Sequence, residues 1–181
     1  MTRPHTHSAG FTIIELMVTI AVVAVLLSIA VPAFGDLMRR NRIAAQTNTV
    51  IGALNYARAE TATRGMPVSV CAARNADRTS CVDAAETATT WTNGWIVFTD
   101  RTGIAGQLDG MDQALQSGAM PMSDFTFTSS ATYVRFGVGA NGATERTLAI
   151  TPINTSVCLS TGKRNITVAR TGRVNSTKSS C

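Results

Sequence analysis

Residues 11–34 read FTIIELMVTIAVVAVLLSIAVPAF, and this stretch decides the architecture of the chain. Its sixteen residues from Leu16 to Val31 carry no charge, and Glu15 is the one charged residue in the stretch. A helix needs about 20 mostly apolar residues to cross a bilayer. The run exceeds the roughly 7–15 apolar residues of a secretory signal. The stretch therefore predicts a membrane-spanning helix and disfavours a removed signal peptide.

The residues in front of the run carry a specific pattern. Ser8-Ala9-Gly10 is followed by Phe11-Thr12-Ile13-Ile14-Glu15, which closely resembles the signal of type IV pilins and type II secretion pseudopilins. In that family a prepilin peptidase cuts after the glycine, the new N-terminal residue is methylated, and a glutamate occupies the fifth mature position. The resemblance implies cleavage between Gly10 and Phe11, N-methylation of Phe11, and an assembly role for Glu15.

Glu15 places a carboxylate within the predicted membrane span. A carboxylate inside a membrane costs roughly 2.5–3.5 kcal/mol on insertion scales and is by default a functional candidate. We expect its partner to be the free amine of Phe11 on a neighbouring subunit, since that pairing neutralises two charges and sets axial register. The alternative is a glutamate that reaches the lipid headgroups.

The orientation of the chain poses a conflict. Arg39, Arg40 and Arg42 follow the span while only Arg3 precedes it, and a positive-inside count would leave the C-terminal part in the cytoplasm. The cysteines favour the opposite side, because pairing them needs an oxidising compartment such as the periplasm. Together with the pilin resemblance, they predict a single-pass protein of the bacterial inner membrane with a periplasmic head.

All four cysteines lie downstream of the span, at positions 71, 81, 158 and 181. Sequence alone permits three pairings. The local pairing Cys71–Cys81 and Cys158–Cys181 closes the shortest loops, and we expect those two disulfides.

Beyond Pro32 the pattern stays helical and then changes. Apolar or small residues recur every three to four positions, at Ile43, Thr47, Val50, Leu54, Ala57 and Thr61. They predict a helix with a narrow apolar face that ends at Gly65 and Pro67. Pro32 either kinks this helix or divides it into two.

From Met66 onward short strands alternate with Gly, Asn, Ser and Thr. The predicted strands are Pro67–Cys71, Trp95–Thr99, Phe125–Thr128, Thr132–Val138, Leu148–Ile150, Val157–Leu159 and Asn165–Ala169. The fold class expected is α+β, a long N-terminal helix whose first half spans the membrane, packed on a small antiparallel β-sheet head. The predicted divisions are a leader (1–10), a transmembrane half of the helix (11–34), a periplasmic half (35–65) and the head (66–181).

One predicted strand refines the resemblance. The string from Trp91 to Asp100 reads WTNGWIVFTD and resembles the W-x-x-G-W-x-V-F-x-D strand of the GspH/FimT/FimU group of minor pseudopilins and minor pilins. A tail with Thr171-Gly172-Arg173-Val174 and the terminal Cys181 resembles the same group. We expect Trp91, Trp95 and Phe98 to be core residues.

Charge is distributed unevenly in the head. Residues 146–181 hold six basic and no acidic residues, whereas residues 71–145 hold four basic and eight acidic residues. The candidate nucleic-acid contacts are Lys163, Arg164, Arg170, Arg173 and Lys178. Such a tail suits a polyanion or an acidic neighbouring subunit. Some FimT-type pilins bind DNA through G-R-x-R, but here Asn175 replaces the second arginine.

An enzyme is disfavoured, because both histidines, His5 and His7, lie in the predicted leader and the mature chain could build no His-based catalytic site. A glycine-rich loop, 100–118, contains Asp100, Asp109 and Asp112, but their spacing does not match an EF-hand. We expect no metal, no cofactor, and an exposed loop. A single-span sensor would explain the anchor but not the string from Gly10 to Glu15.

The sequence thus predicts a minor pilin or pseudopilin, a structural subunit that helps to initiate or cap a type IV pilus or type II secretion pseudopilus. Its expected partners are other major and minor pilins, the prepilin peptidase and the inner membrane. The alternative is a DNA-binding minor pilin for natural transformation.

Overall fold

A computed structural model describes residues 10–86, 91–101, 103–120, 125–139, 142–153, 158 and 162–181. It divides into two compact units, one up to Met38 and one from Arg39 to Cys181. The elements are α1 (Ile13–Arg64), β1 (Val68–Ala72), β2 (Trp95–Thr99), β3 (Ala114–Gly118), β4 (Phe125–Ser129), β5 (Tyr133–Phe136), β6 (Arg146–Pro152), β7 (Lys163–Val168) and β8 (Val174–Ser179). The predicted strand Val157–Leu159 lies outside the described residues except for Cys158.

Helix α1 is continuous over 52 residues and includes Pro32. Of the two arrangements left open by the sequence, the structure has the single helix. It ends at Arg64, where Gly65 adopts a φ of 64° and donates its N–H to the Thr61 carbonyl at 3.0 Å. A left-handed glycine just past the last turn is a common helix terminator.

The first part of α1 is apolar and uncovered. Its most apolar 18-residue window has a mean hydropathy of 2.7 and no buried residue, and by length and composition α1 is long enough to cross a membrane. Side chains such as Ile13, Leu27 and Ile29 are more than half exposed. Large exposed apolar surfaces mark membrane or protein contacts, so this segment requires lipid or other helices around it.

The second part of α1 forms one wall of the core. Its buried residues are Ile43, Thr47, Val50, Ala53, Leu54, Ala57 and Thr61. All six residues of the predicted apolar face are among them. They pack with strand residues such as Val70, Phe127 and Ile150 in one cluster, so the helix covers the inner side of the head.

The strands form two four-stranded antiparallel sheets, in the orders β3-β2-β1-β5 (sheet 1) and β4-β6-β7-β8 (sheet 2). The sequence pattern predicts antiparallel strands on the helix, as found, but one small sheet rather than two. Alternation along a strand sets which face is buried, not which strand it pairs with. For that reason the division into two sheets could not be read from the pattern.

The two central strands of sheet 1 are buried on both faces, since every residue of β1 and β2 is buried. Val70 and Val97 face the cluster with α1, whereas Ile96 and Phe98 belong to a second cluster that includes Leu108 as a packed neighbour. The predicted exposed loop is therefore only partly exposed. Its residues 103–113 pack back over the sheet at Gly106 and Leu108.

Gly106 makes that approach possible. A Cβ there would lie 2.2 Å from the Tyr133 ring, and the φ of Gly106 is +84°.

Two strands of the structure, β3 and β8, were not predicted from the sequence pattern. β3 exposes most of its residues and β8 has none that is fully buried. Both are edge strands, where a clear alternation of apolar and polar residues is not required.

Candidate functional site

The N-terminal signal lies at a capped helix start. The Glu15 N–H donates to Thr12 Oγ1 at 3.3 Å, and the Leu16 N–H donates to the Thr12 carbonyl at 3.2 Å. Thr12 is thus the N-cap of α1. The sequence Thr12-x-x-Glu15 is a capping-box pattern, a signal that the sequence analysis did not use.

The helix start at Thr12 places Glu15 in a position that favours its negative charge. Glu15 lies in the first turn of α1, where the helix dipole favours a negative charge. Among the described residues, none forms an ion pair with its carboxylate. Gly10 has open space around it, because a Cβ there would meet no atom within 4 Å.

The basic tail is a hairpin of β7 and β8. Arg164 pairs directly with Lys178 and Lys163 with Ser179, so Arg164 and Lys178 lie side by side on one face while Lys163 projects from the other. Arg170 and Arg173 lie at the turn, six or more residues from Arg164. At about 3.4 Å per residue this separation is on the order of 20 Å. The five predicted residues therefore form two groups, not one patch.

The two arginines at the turn have neighbours within the chain. With its amide oriented to accept, the Asn175 oxygen lies 2.9 Å from Arg173 Nη2 and 3.1 Å from Arg173 Nε. Asn175 thus occupies the position of the missing arginine and binds the one that remains. Arg170 Nε lies 3.6 Å from Glu145, and both side chains are mostly exposed, so this ion pair contributes little.

Asp100 closes the tryptophan strand and is a buried charge, 1% exposed. It accepts from Ser69 Oγ at 2.5 Å and from the Gly106 N–H at 3.0 Å. Arg135 Nε lies 3.1 Å from the same carboxylate, and Arg135 Nη2 donates to the Asp100 carbonyl at 3.1 Å. Asp100 therefore joins β1, β5 and the loop after β2, and its role is structural.

The other two loop carboxylates organise turns. Asp109 accepts from the Ile104 N–H at 3.1 Å, and Asp112 accepts from the Arg101 N–H at 2.9 Å. Within the described part of the chain, no group of three or more His, Cys, Asp or Glu side chains could hold a metal ion.

The aromatic residues of the tryptophan strand are core residues, as predicted. Trp91, Trp95 and Phe98 are 1%, 3% and 0% exposed. Trp91 meets Phe127 edge-on, with ring centroids 5.3 Å apart, and donates its indole N–H to the Ala131 carbonyl at 3.2 Å. The turn into β2 requires Gly94, since a Cβ there would lie 2.1 Å from the Gly118 carbonyl oxygen.

The cysteines are paired locally in the structure. Cys71 is bonded to Cys81 and Cys158 to Cys181, with Cα atoms 5.7 and 5.9 Å apart. The first disulfide fixes the segment after β1, and the second fastens the residues that follow β8.

Residues 46–172 match the family described as Type II transport protein GspH. The chain belongs to the GspH family. Residues 5–31 also match the prokaryotic N-terminal methylation motif, which contains Gly10, Phe11 and Glu15. The GspH match covers most of the chain, including the part of α1 that packs on the sheets and the tryptophan strand. No curated protein sequence matches the chain.

The fold is similar to that of a solved minor pilin. The crystal structure of the type IV minor pilin FimU of Pseudomonas aeruginosa, in space group P21, matches with a TM-score of 0.53 and 18% identity over 77% of this chain and 90% of that chain. A second FimU crystal form, P65, matches with a TM-score of 0.50 and 17% identity over 75% of this chain and 92% of that chain. The GspH-family chain therefore has a pilin fold, a helix packed on antiparallel sheets.

Proposed function

We propose that this GspH-family chain is a minor pilin or pseudopilin that helps to initiate or cap a type IV pilus or type II secretion pseudopilus. The observation that supports this most is the joining of an uncovered apolar helix, capped at Thr12 and carrying Glu15, to a head stabilised by its own core and disulfides. An exposed apolar helix suits first a bilayer and then a bundle of similar helices. A folded, disulfide-bonded head suits the periplasm.

The proposed steps of processing, membrane anchoring and assembly follow from that arrangement. A prepilin peptidase removes residues 1–10 and the new N-terminus at Phe11 is methylated. Residues 11–34 hold the chain in the inner membrane, residues 35–65 complete the helix, and residues 66–181 form the periplasmic head. In the filament, Glu15 meets the Phe11 amine of a neighbouring subunit. The chain acts as a structural subunit and not as an enzyme.

A complementation experiment tests this proposal. A strain that lacks the gene should lose surface filaments or secretion of the filament-dependent substrate, and the intact chain should restore them. A matched control lacks residues 11–34 and carries a secretory signal, so that its head reaches the periplasm without an anchor. Restoration by this unanchored head would contradict the proposal, as would normal filaments and normal secretion in the deletion strain.

A second candidate is DNA binding by the β7–β8 hairpin. The observation in its favour is the adjacent pair Arg164 and Lys178 in a region without acidic residues. With Arg173 bound by Asn175 and Lys163 on the opposite face, we assign the contacts to Arg164 and Lys178. Two phosphate contacts give a slope of log K against log salt of about −1.8, so binding to duplex DNA should be weak. No binding at low salt, by the parent and the Arg164→Ala/Lys178→Ala variant alike, would exclude it.

A further inference from the structure

A groove runs between the second part of α1 and the edge strand β3. Gly52 and Tyr56 line it on the helix side, Leu115 and Gln116 on the strand side, and Trp95 between them. Its volume is about 600 Å³. We call it the α1–β3 groove, and none of the described residues that line it is charged.

One wall of the groove is an open sheet edge. β3 is the outermost strand in the order β3-β2-β1-β5, and among the described residues it pairs only with β2. The free side of a five-residue strand presents backbone N–H and C=O groups that can pair with another extended chain. β3 carries no charged residue that would prevent such pairing.

Trp95 adds a donor without an acceptor. Its side chain is 3% exposed, and the indole lies over Gly118 of β3, where a Cβ would be 2.9 Å from Nε1. Among the described residues this buried N–H has no hydrogen-bond partner. Trp91 differs, since its indole N–H donates to Ala131. Buried donors are rarely left unpaired in native proteins, so the free indole N–H of Trp95 indicates an absent partner.

The groove fixes the chemistry of that partner. Its uncharged lining suits an uncharged segment, and a peptide carbonyl is the acceptor that an extended segment beside β3 would bring to the Trp95 N–H. Gly52 allows a close approach, because nothing lies within 4 Å of the Cβ position there. We infer that the α1–β3 groove docks an extended, uncharged segment of a neighbouring pilin head by strand addition to β3. This inference rests on the proposed function, since a filament supplies the neighbour.

Photocrosslinking in cells that contain the filament system tests the inference with the full chain. A benzophenone amino acid replaces Gln116 in the groove or, as a matched control, the exposed Thr167 on β7. The expected result is a light-dependent crosslink from position 116 to a short, uncharged segment in the head of another subunit with an N-terminal methylation motif. Position 167 should give at most a tenth of that yield.

Two substitutions separate the missing hydrogen bond from general packing. Trp95→Phe and Trp91→Phe both reduce ring volume, but only Trp91→Phe also breaks a hydrogen bond within the chain. Trp91→Phe should therefore lower the unfolding midpoint of the detergent-solubilised chain more than Trp95→Phe does. Trp95→Phe should lower the crosslink yield from position 116 about tenfold, the effect of one hydrogen bond, whereas Trp91→Phe should keep it.

Failure can be assigned to one of the two proposals. If the chain is present in purified filaments but position 116 gives no crosslink to another subunit, the groove inference is wrong and the proposed function stands. An unchanged yield in Trp95→Phe also overturns the groove inference. If the parent chain is absent from filaments and from any complex with other pilins, the proposed function fails and the groove inference fails with it.

Discussion

The buried carboxylate of Asp100 and its partners are expected to stabilise the head. Asp100 is buried, and its carboxylate is surrounded by Ser69, Gly106 and Arg135. Removing one partner of a buried charge pair costs about 3–5 kcal/mol. Because the Arg135 side chain is 34% exposed, water compensates part of the loss, and we expect Asp100→Ala to cost about 3 kcal/mol. Denaturant unfolding of the full chain in detergent measures this.

The matched control for Asp100 is an exposed ion pair. Glu86 lies 2.8 Å from Arg74, and both side chains are about half exposed. Such pairs contribute about 0–1 kcal/mol, so Glu86→Ala should have little effect on stability. Equal effects of Asp100→Ala and Glu86→Ala would show that the buried network around Asp100 does not stabilise the head.

Glu15 is the residue for which we propose a role in assembly. Glu15→Val removes the cost of a carboxylate in the membrane and leaves the Thr12 cap in place, so membrane insertion should be kept or improved. Entry into the filament should fall, because the partner of the Phe11 amine is lost. The ratio of chain in sheared filaments to chain in membranes measures the effect. A parental ratio in Glu15→Val would contradict the assembly role, and Glu15→Asp is the variant that retains the charge.

The burial of some residues could be predicted from the sequence, whereas the contacts of others could not. The buried face of α1 was predictable because helical spacing alone determines it. The partners of Asp100 were not, since Ser69 and Arg135 are 31 and 35 residues away and meet it only through strand register. The cap at Thr12 was available in the sequence as Thr12-x-x-Glu15 and was overlooked.

The C-terminal hairpin, β7 and β8, is held at its end by the Cys158–Cys181 disulfide. The Cys158–Cys181 disulfide closes a 23-residue separation and fastens the chain just after β8, whose outer side is a sheet edge. Replacing both cysteines by serine should cost roughly 3 kcal/mol by chain entropy. We expect amide hydrogen exchange to rise in β8 and to stay slow in β1 and β2.

The other disulfide provides the control for the hairpin. Cys71 lies in the fully buried strand β1, so replacing Cys71 and Cys81 by serine should raise exchange around β1 and leave β8 protected. Fast exchange in β8 after removal of the first disulfide but not the second would contradict these roles. Exchange measured by mass spectrometry on the full chain resolves the two regions.

Elements were predictable where their pattern was strong. Trp95–Thr99 was predicted with the bounds that β2 has in the structure, because β-branched and aromatic residues fill it and a turn signal precedes it. β3 and β8 were missed because edge strands carry polar residues on both faces. The loop after β2 was expected to be exposed, but contacts at Gly106 and Leu108, which no local pattern encodes, bring it over sheet 1.

At the scale of the whole molecule, the chain combines two units that differ in the exposure of their apolar side chains. The unit up to Met38 exposes apolar side chains along a helix, whereas the unit from Arg39 to Cys181 buries its own core. The anchor and the α+β class followed from composition and periodicity alone. The proposed filament role came from the resemblance of two strings, the one around Gly10 and Glu15 and the one from Trp91 to Asp100, to those of pilins and pseudopilins.

The intact mass of the protein recovered from filaments shows whether the chain is processed and used as a pilin. We expect a chain that begins at Phe11 and carries one added methyl group. Gly10→Ala should retain the leader and be missing from filaments, while its fold is unchanged because a Cβ at that position contacts nothing. A mature N-terminus near Ala33, or a chain with its leader intact in filaments, would show that the chain is not processed as a pilin.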